Sequence, residues 1–220
     1  MRIKICGLTR LEQAQAIVAA GATDLGFICV SRSPRYIDPF AIANITPFLP
    51  PAVNCVGVFV DVPISKICDV VETAHLSAVQ LHGDESPTDC QQLKAFLPGI
   101  ELIKAVRLPV GRDPQPLIEI YRPDVVDTLL IDAYHPQQHG GTGLTLDWKT
   151  LQSFNPPQPW FLAGGLRIEN LSAALEVLSP AGIDLSSGVE RAPGDKDLHK
   201  VAELFQVLKQ LGKVNGDYGN

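Results

Sequence analysis

Cys6 stands at the end of a short alternating run, Arg2-Ile3-Lys4-Ile5-Cys6, immediately before Gly7. Ile3 and Ile5 alternate with Lys4 and Cys6, the period-two pattern of a strand. The thiol is therefore expected at a strand's carboxyl end, where Gly7 lets the chain turn. As a thiolate it could serve as nucleophile or general base; as a thiol it would be a small buried side chain beneath the loop. The N-terminus of the helix that follows, with nearby donors, is expected to lower its pKa against the opposing effect of burial. That would make it the most readily alkylated of the cysteines. Asp132 has a similar place, after the apolar run from Val125 to Ile131. It reads as an acid facing Cys6, or as a turn cap onto the loop beyond. Asp127, at the other end of that run, is expected to serve stability.

Other polar residues recur after apolar runs. Arg35, in Ser33-Pro34-Arg35-Tyr36, could clamp a carboxylate with its planar fork, or remain a solvated loop charge. Gln80 and His82 close the fourth run; His82 is a second candidate base, or a hydrogen-bonded histidine at a strand end. Gly164-Gly165 and Ser186-Ser187-Gly188 follow the seventh and eighth runs. Glycine exposes backbone N–H groups and serine adds hydroxyls. The two loops together make a phosphate-site pattern, whereas either alone is an ordinary turn. Lys4 and Lys104 fall inside strands. Each is expected to pair with a carboxylate such as Asp184, with a Schiff-base lysine as the alternative.

These residues meet only if their strand ends share one face. Strands are expected over 2–6, 24–30, 54–60, 78–81, 101–106, 125–131, 160–163 and 183–185. Helices are expected between them. The first has a Thr9/Glu12 capping box and stops at Gly21; others start at Asp38-Pro39, Pro63 and Ser86-Pro87. A weaker one spans 113–121, and Asp147 is expected to cap a short one containing Trp148 and Leu151. Leu171, Ala174, Leu175 and Leu178 form one helical stripe, and Val201, Leu204, Phe205 and Leu208 another. Eight strand-plus-helix units of about 27 residues each predict a single-domain (β/α)8 barrel over 1–211, with a frayed tail over 212–220. An open doubly wound sheet competes, but no G-x-G-x-x-G follows the first strand.

Composition agrees. Hydrophobic residues make up 45% and charged residues 19%, which supports a sizeable core. A net charge of −6 argues against nucleic acid or an anionic membrane as partner, and leaves room for a small anionic substrate held by local donors. The five cysteines, at 6, 29, 55, 68 and 90, fit no zinc spacing and suit a reducing, cytoplasmic setting. No secretory apolar segment and no 18-residue apolar run is read in the sequence, so secretion and membrane spanning are disfavoured. A monomer is expected, with a homodimer as the alternative.

Read together, the motifs resemble those of the phosphoribosylanthranilate isomerase family of tryptophan biosynthesis. The resemblance runs from Lys4-Ile5-Cys6-Gly7-Leu8-Thr9 through Gly26-Phe27-Ile28, Ser33-Pro34-Arg35-Tyr36, Gly57-Val58-Phe59-Val60 and Gln80-Leu81-His82-Gly83. It continues in Lys104-Ala105-Val106, Leu130-Ile131-Asp132-Ala133, Gly140-Gly141-Thr142-Gly143, Leu162-Ala163-Gly164-Gly165-Leu166, the segment 184–190 and Pro193-Gly194-Asp195-Lys196-Asp197. It implies a (β/α)8 barrel that performs an Amadori rearrangement of a phosphorylated substrate without metal or cofactor. By resemblance Cys6 takes the general-base place, Asp132 the general-acid place, and Arg35 positions the anthranilate end. Gln80, His82, Gly141 and Asp184 are expected to line the substrate, with Gly164, Gly165, Ser186, Ser187 and Gly188 on the phosphate. Leu146 departs from the pattern, where a Phe is common. A Schiff-base aldolase and a barrel that only binds phosphorylated ligands are the rival readings.

Overall fold

A computed structural model of the chain describes residues 1–109, 112–134 and 148–214. Its strands are β1 (Arg2–Cys6), β2 (Asp24–Ile28), β3 (Asn54–Phe59), β4 (Ala78–Leu81), β5 (Glu101–Pro109), β6 (Thr128–Tyr134), β7 (Trp160–Ala163) and β8 (Gly182–Leu185). Between and after them run α1 (Leu11–Ala19), α2 (Pro39–Ala43), α3 (Ile64–Ala74), α4 (Pro87–Phe96), α5 (Pro116–Ile120), α6 (Ile168–Val177) and α7 (Leu198–Gln210). The first eight strands form a closed parallel barrel in chain order, and β8 pairs back onto β1 with Asp184 opposite Lys4. The fold is thus the expected (β/α)8 barrel, and the open sheet is excluded. Among the described residues no helix is long and apolar enough to cross a membrane.

Local chemistry explains most element boundaries. Asp38 caps α2 by accepting from the Phe40 N–H, and Pro39 stands at its first position. Ser86 and Asp89 form a reciprocal capping box on α4. Ile67, Val70, Val71 and Ala74 bury one face of α3, and Leu171, Ala174 and Leu175 one face of α6. Gly21 follows α1 with φ of 117°, a conformation that L side chains rarely adopt.

Three expectations need correction. Arg10, extended and without a side-chain cap among the described residues, precedes α1, so Thr9 does not cap it. The Thr9 hydroxyl donates instead to the Gly194 carbonyl at 2.7 Å. That carbonyl belongs to a hairpin read as plain loop, β9 (Glu190–Ala192) and β10 (Asp195–Lys196), which folds against the start of α1. Strand β6 starts at Thr128 and continues past Asp132, because β5 extends to Pro109 and pairs Arg107 with Asp132 and Pro109 with Tyr134. Asp132 therefore lies inside the strand. Strand β2 ends at Ile28, short of Val30, where Ile28 bridges to Tyr36. The expected cap at Asp147 and the tail beyond 214 lie outside the described residues.

Alternate residues of each strand point into the barrel. At its amino-terminal end Arg2 bonds Asp24 and reaches Glu101 at 2.7 Å, with its guanidinium 4.8 Å from the centre of the Phe161 ring. Asn54 donates to Asp24 at 3.0 Å and Thr128 to Glu101 at 2.6 Å. Val56, Ala78, Ile103, Ala105, Leu130, Phe161 and Ala163 form a separate apolar cluster in the barrel, distinct from the larger core between strands and helices.

Asp24 is fully buried, so losing its cation leaves a charge that water cannot reach. Arg2→Met is expected to cost at least about 2 kcal/mol, read as a lower urea midpoint at unchanged slope. Arg122→Met, which breaks an exposed pair with Asp124, is expected to leave the midpoint where it was. Equal effects of the two variants would contradict a stabilising role for the buried Arg2–Asp24 pair.

Candidate active site

At the carboxyl ends of the strands the barrel opens into a cavity of about 280 Å³. Cys6 lines it from β1, Gln80 from β4, Asp132 from β6 and Asp184 from β8. Arg35, His82, Gly164, Gly165, Ser186 and Ser187 line it from the connections. Gly188 stands behind this wall: a Cβ there would meet the Leu166 carbonyl oxygen at 2.2 Å, so its smallness lets the loops after β7 and β8 touch. Gly141 lies outside the described residues.

Cys6 reaches the cavity because the chain turns sharply behind it. Gly7 adopts φ of 85°, and the N–H groups of Gly7 and Leu8 both donate to the Gly26 carbonyl. Gly26 is a residue whose importance the sequence did not signal by chemistry: a Cβ there would lie 2.6 Å from the Cys6 sulfur. Beneath the thiol, Lys4 is wholly buried and bonds Asp184 at 3.0 Å. Burial opposes the Lys4 ammonium, but Asp184 and then Cys6 outweigh it and hold its pKa above the usual value. Burial likewise pushes the Asp184 carboxyl up, against the pull of Lys4. For Cys6 itself burial prevails: the thiol is pushed up, with Lys4 and Lys196 pulling it down and Asp184 adding to the rise. The expected lowering does not occur in the free protein. The reason is burial, which disfavours the thiolate more than the two lysines favour it.

Across the mouth, Gln80 Nε2 lies 2.8 Å from His82 Nδ1, and His82 Nε2 lies 3.2 Å from Asp132 Oδ2. An amide nitrogen only donates, so Nδ1 accepts and the Nε2 proton points at the carboxylate. His82 thus orients Asp132. The Asp132 side chain keeps 24% exposure, toward the cavity. Asp127 behaves as expected of a stabilising residue, accepting from the Leu102 N–H at 2.8 Å and from Lys94 at 2.7 Å. Lys104 pairs with Glu85 at 2.7 Å and Lys4 with Asp184, so both interior lysines are salt-bridged rather than free amines.

Arg35 is not a solvated charge. Its Nε and Nη2 grip Glu190 in a two-pronged bond, and Lys196 reaches the same carboxylate at 2.7 Å. Burial works against the Glu190 charge, but these two cations hold its pKa below the ordinary value. Lys196 also donates to the backbone carbonyls of Cys6 and Ser186. Glu190 and Lys196 were missed as site-building residues, since nothing local to either predicts a contact with strand β1. Around the remaining rim, Gly164 and Gly165 have φ of 86° and 65°, and α6 starts three residues later. The Ser186 hydroxyl is buried without a hydrogen-bond partner among the described residues. An unpaired buried hydroxyl is costly, and here it borders an open cavity beside two glycine turns.

Sequence comparison then assigns the family. The family model for N-(5'phosphoribosyl)anthranilate isomerase matches residues 3–207. The chain belongs to this family. It is 56% identical over 208 residues to the N-(5'-phosphoribosyl)anthranilate isomerase of Gloeothece citriformis, covering 94% of each chain. Its structure is similar to the crystal structure of the Thermotoga maritima enzyme, with a TM-score of 0.86 and 38% identity over 96% of this chain and 99% of that one. A further relative was solved in complex with reduced 1-(o-carboxyphenylamino)-1-deoxyribulose 5-phosphate; it is 36% identical with a TM-score of 0.83, over 96% of this chain and 99% of its own. The reaction is the isomerisation of N-(5'-phosphoribosyl)anthranilate, an Amadori rearrangement within tryptophan biosynthesis, and the substrate is a small phosphorylated molecule.

The thiol's environment sets a pH dependence. A raised pKa keeps Cys6 protonated through neutral pH, so its thiolate grows about tenfold per unit as pH rises. Burial also pushes Cys29 up to about 12 and Cys55 up to about 11. In the free protein, Cys6 alkylation mapped by mass spectrometry is expected to keep accelerating past pH 9.0, the ordinary thiol value. A plateau well below that pH would contradict the burial argument.

Proposed function

We propose that Cys6 is the general base and Asp132 the general acid of the rearrangement. The observation that carries this reading is that a thiol and a carboxyl line one cavity from β1 and β6, with glycine and serine turns on the rim between them. Asp132, protonated, gives its proton to the ribose ring oxygen. The C1′–oxygen bond breaks, and the anilino nitrogen's electron pair forms a C1′ iminium. The Cys6 thiolate then takes the C2′ proton and becomes a thiol. The electrons of that C–H bond form an enolamine, which tautomerises to the C2′ ketone.

The remaining residues hold the substrate between acid and base. Backbone N–H groups near Gly164 and Gly165, with the hydroxyls of Ser186 and Ser187, suit a phosphate. Gly188 acts indirectly, by bringing those two loops together. Phosphate binding far from the reacting carbons supplies energy for orienting them. Arg35, steadied by Glu190 through Nε and Nη2, turns its remaining Nη1 toward the anthranilate carboxylate. His82 and Gln80 orient Asp132 as well as flanking the sugar. Asp184 lines the sugar from β8, and Gly141 is assigned to the same pocket by resemblance alone. Residues 1–211 form the catalytic unit, and the chain acts as a cytoplasmic monomer. A dimeric relative from Thermotoga maritima marks the homodimer as the alternative.

Cys6→Ser and Asp132→Asn are each expected to lower kcat by about 10²–10⁴-fold, while Asp127→Asn lowers stability and leaves kcat near that of the parent. Ser187→Asp places a negative charge on the phosphate rim and is expected to raise KM at least about tenfold with a smaller effect on kcat. Steady-state fluorescence kinetics with phosphoribosylanthranilate check all four. A fully active Cys6→Ser enzyme, or Asp127→Asn as the inactive one, overturns the assignment.

A further inference from the structure

Among the described residues, three salt-bridged lysine clusters lie at or near the cavity besides the His82–Asp132 pair, and two have evident structural work. Arg35, Glu190 and Lys196 knit the hairpin to the mouth, and Lys104 with Glu85 fastens the turn after β4. The third, Lys4 with Asp184, sits within the barrel directly below the thiol. Lys4 and Cys6 are two apart on β1, so both side chains point inward and follow one another along the axis. Asp184 lies opposite Lys4 in the β1–β8 register and itself lines the cavity. Lys4 is 0% exposed, so its charge is not screened by water.

Resting on the reading of Cys6 as the base, we propose that Lys4 is a positioning residue of the reaction: a buried ammonium that makes the Cys6 thiolate accessible. The need arises from the site itself. Burial disfavours a thiolate, and Asp184 disfavours it further. Lys4 counters both, by attracting the sulfur and by neutralising the carboxylate beside it.

The other charges facing Cys6 do not replace it. Lys196, from β10, is engaged by Glu190 and by two backbone carbonyls, and burial lowers its own pKa. Arg35, from the connection after β2, spends two of its nitrogens on Glu190. Cys29 adds another thiol near Cys6. His82 and Asp132, from the opposite wall, act on Asp184 in opposite directions. On the inward face of Cys6's own strand, Arg2 is engaged by Asp24 and Glu101, whereas Lys4 bonds the carboxylate that opposes ionisation. An opposite charge this close is expected to displace a pKa by about 1–3 units.

The test is Lys4→Gln, which removes the charge and keeps a donor for Asp184. At about pH 8, Cys6 alkylation mapped by mass spectrometry should slow by at least about tenfold. The rising limb of kcat with pH should move up by at least about one unit, while KM changes less than about threefold. Asp184→Asn with Lys4 retained should move alkylation the other way, to faster labelling. Should Lys4→Gln fail to fold because the buried Asp184 charge is left without a cation, the neutral double variant Lys4→Met/Asp184→Asn is compared with Asp184→Asn and should alkylate at least about tenfold more slowly. A folded Lys4→Gln enzyme with unchanged alkylation and an unmoved kcat limb overturns the role of Lys4. If Cys6→Ser is inactive in that case, the base assignment stands and only this inference falls. An active Cys6→Ser enzyme sinks the base assignment itself.

Discussion

Strand β1 sends Arg2, Lys4 and Cys6 up the inside of a closed barrel, where each polar atom must find a partner. Arg2 is met by Asp24 and Glu101, and Lys4 by Asp184. Both solutions require neighbours that only barrel closure supplies, since Asp184 comes from β8, the last strand of the ring. Such buried pairs add little net stability relative to apolar packing, but breaking one is expensive. They therefore penalise a β1–β8 pairing out of register, in which Lys4 would lose its carboxylate. The same bond that rewards correct closure sits under the Cys6 thiol proposed as the base, so in that proposal architecture and chemistry meet at Lys4.

A second constraint holds the mouth of the barrel. Glu190 gathers Arg35, Lys196 and the Gly194 N–H, and Lys196 extends the network to the carbonyls of Cys6 and Ser186. One carboxylate thereby couples the end of β1, the loop after β2, the loop after β8 and the β9–β10 hairpin. Precise spacing of an acid and a base needs such support, because small displacements at a reacting centre cost large factors in rate.

Much of this architecture was legible in the sequence. Apolar runs marked all eight barrel strands, since strands buried on both faces carry little else. Asp38-Pro39 and Ser86-Pro87 announced helix starts because their signals are local. Asp132 also lies on the cavity as expected and Asp127 is not among the residues that line it, although β6 runs past the expected end. What sequence could not reveal was tertiary. The hairpin strands Glu-Arg-Ala and Asp-Lys have no apolar alternation, so they read as loop. Their presence redirected Thr9 from helix capping to the Gly194 carbonyl. Glu190 and Lys196 fell within segments that resemble the family, but their contacts with Arg35 and with the Cys6 carbonyl come only from the fold. The direction of the Cys6 shift was misjudged because the depth of burial, the largest influence on it, depends on the tertiary fold.

The central claim is that Cys6 and Asp132 stand on either side of the reacting sugar carbons. The most direct measurement is a crystal structure of this protein with the reduced product analogue bound. The account predicts the analogue's phosphate on the Gly164-Gly165 and Ser186-Ser187 turns, C2′ within about 3.5 Å of the Cys6 sulfur, and Asp132 within hydrogen-bond reach of the oxygen released from the ring. A complex with C2′ against His82 and the Cys6 thiol facing only the phosphate would contradict it.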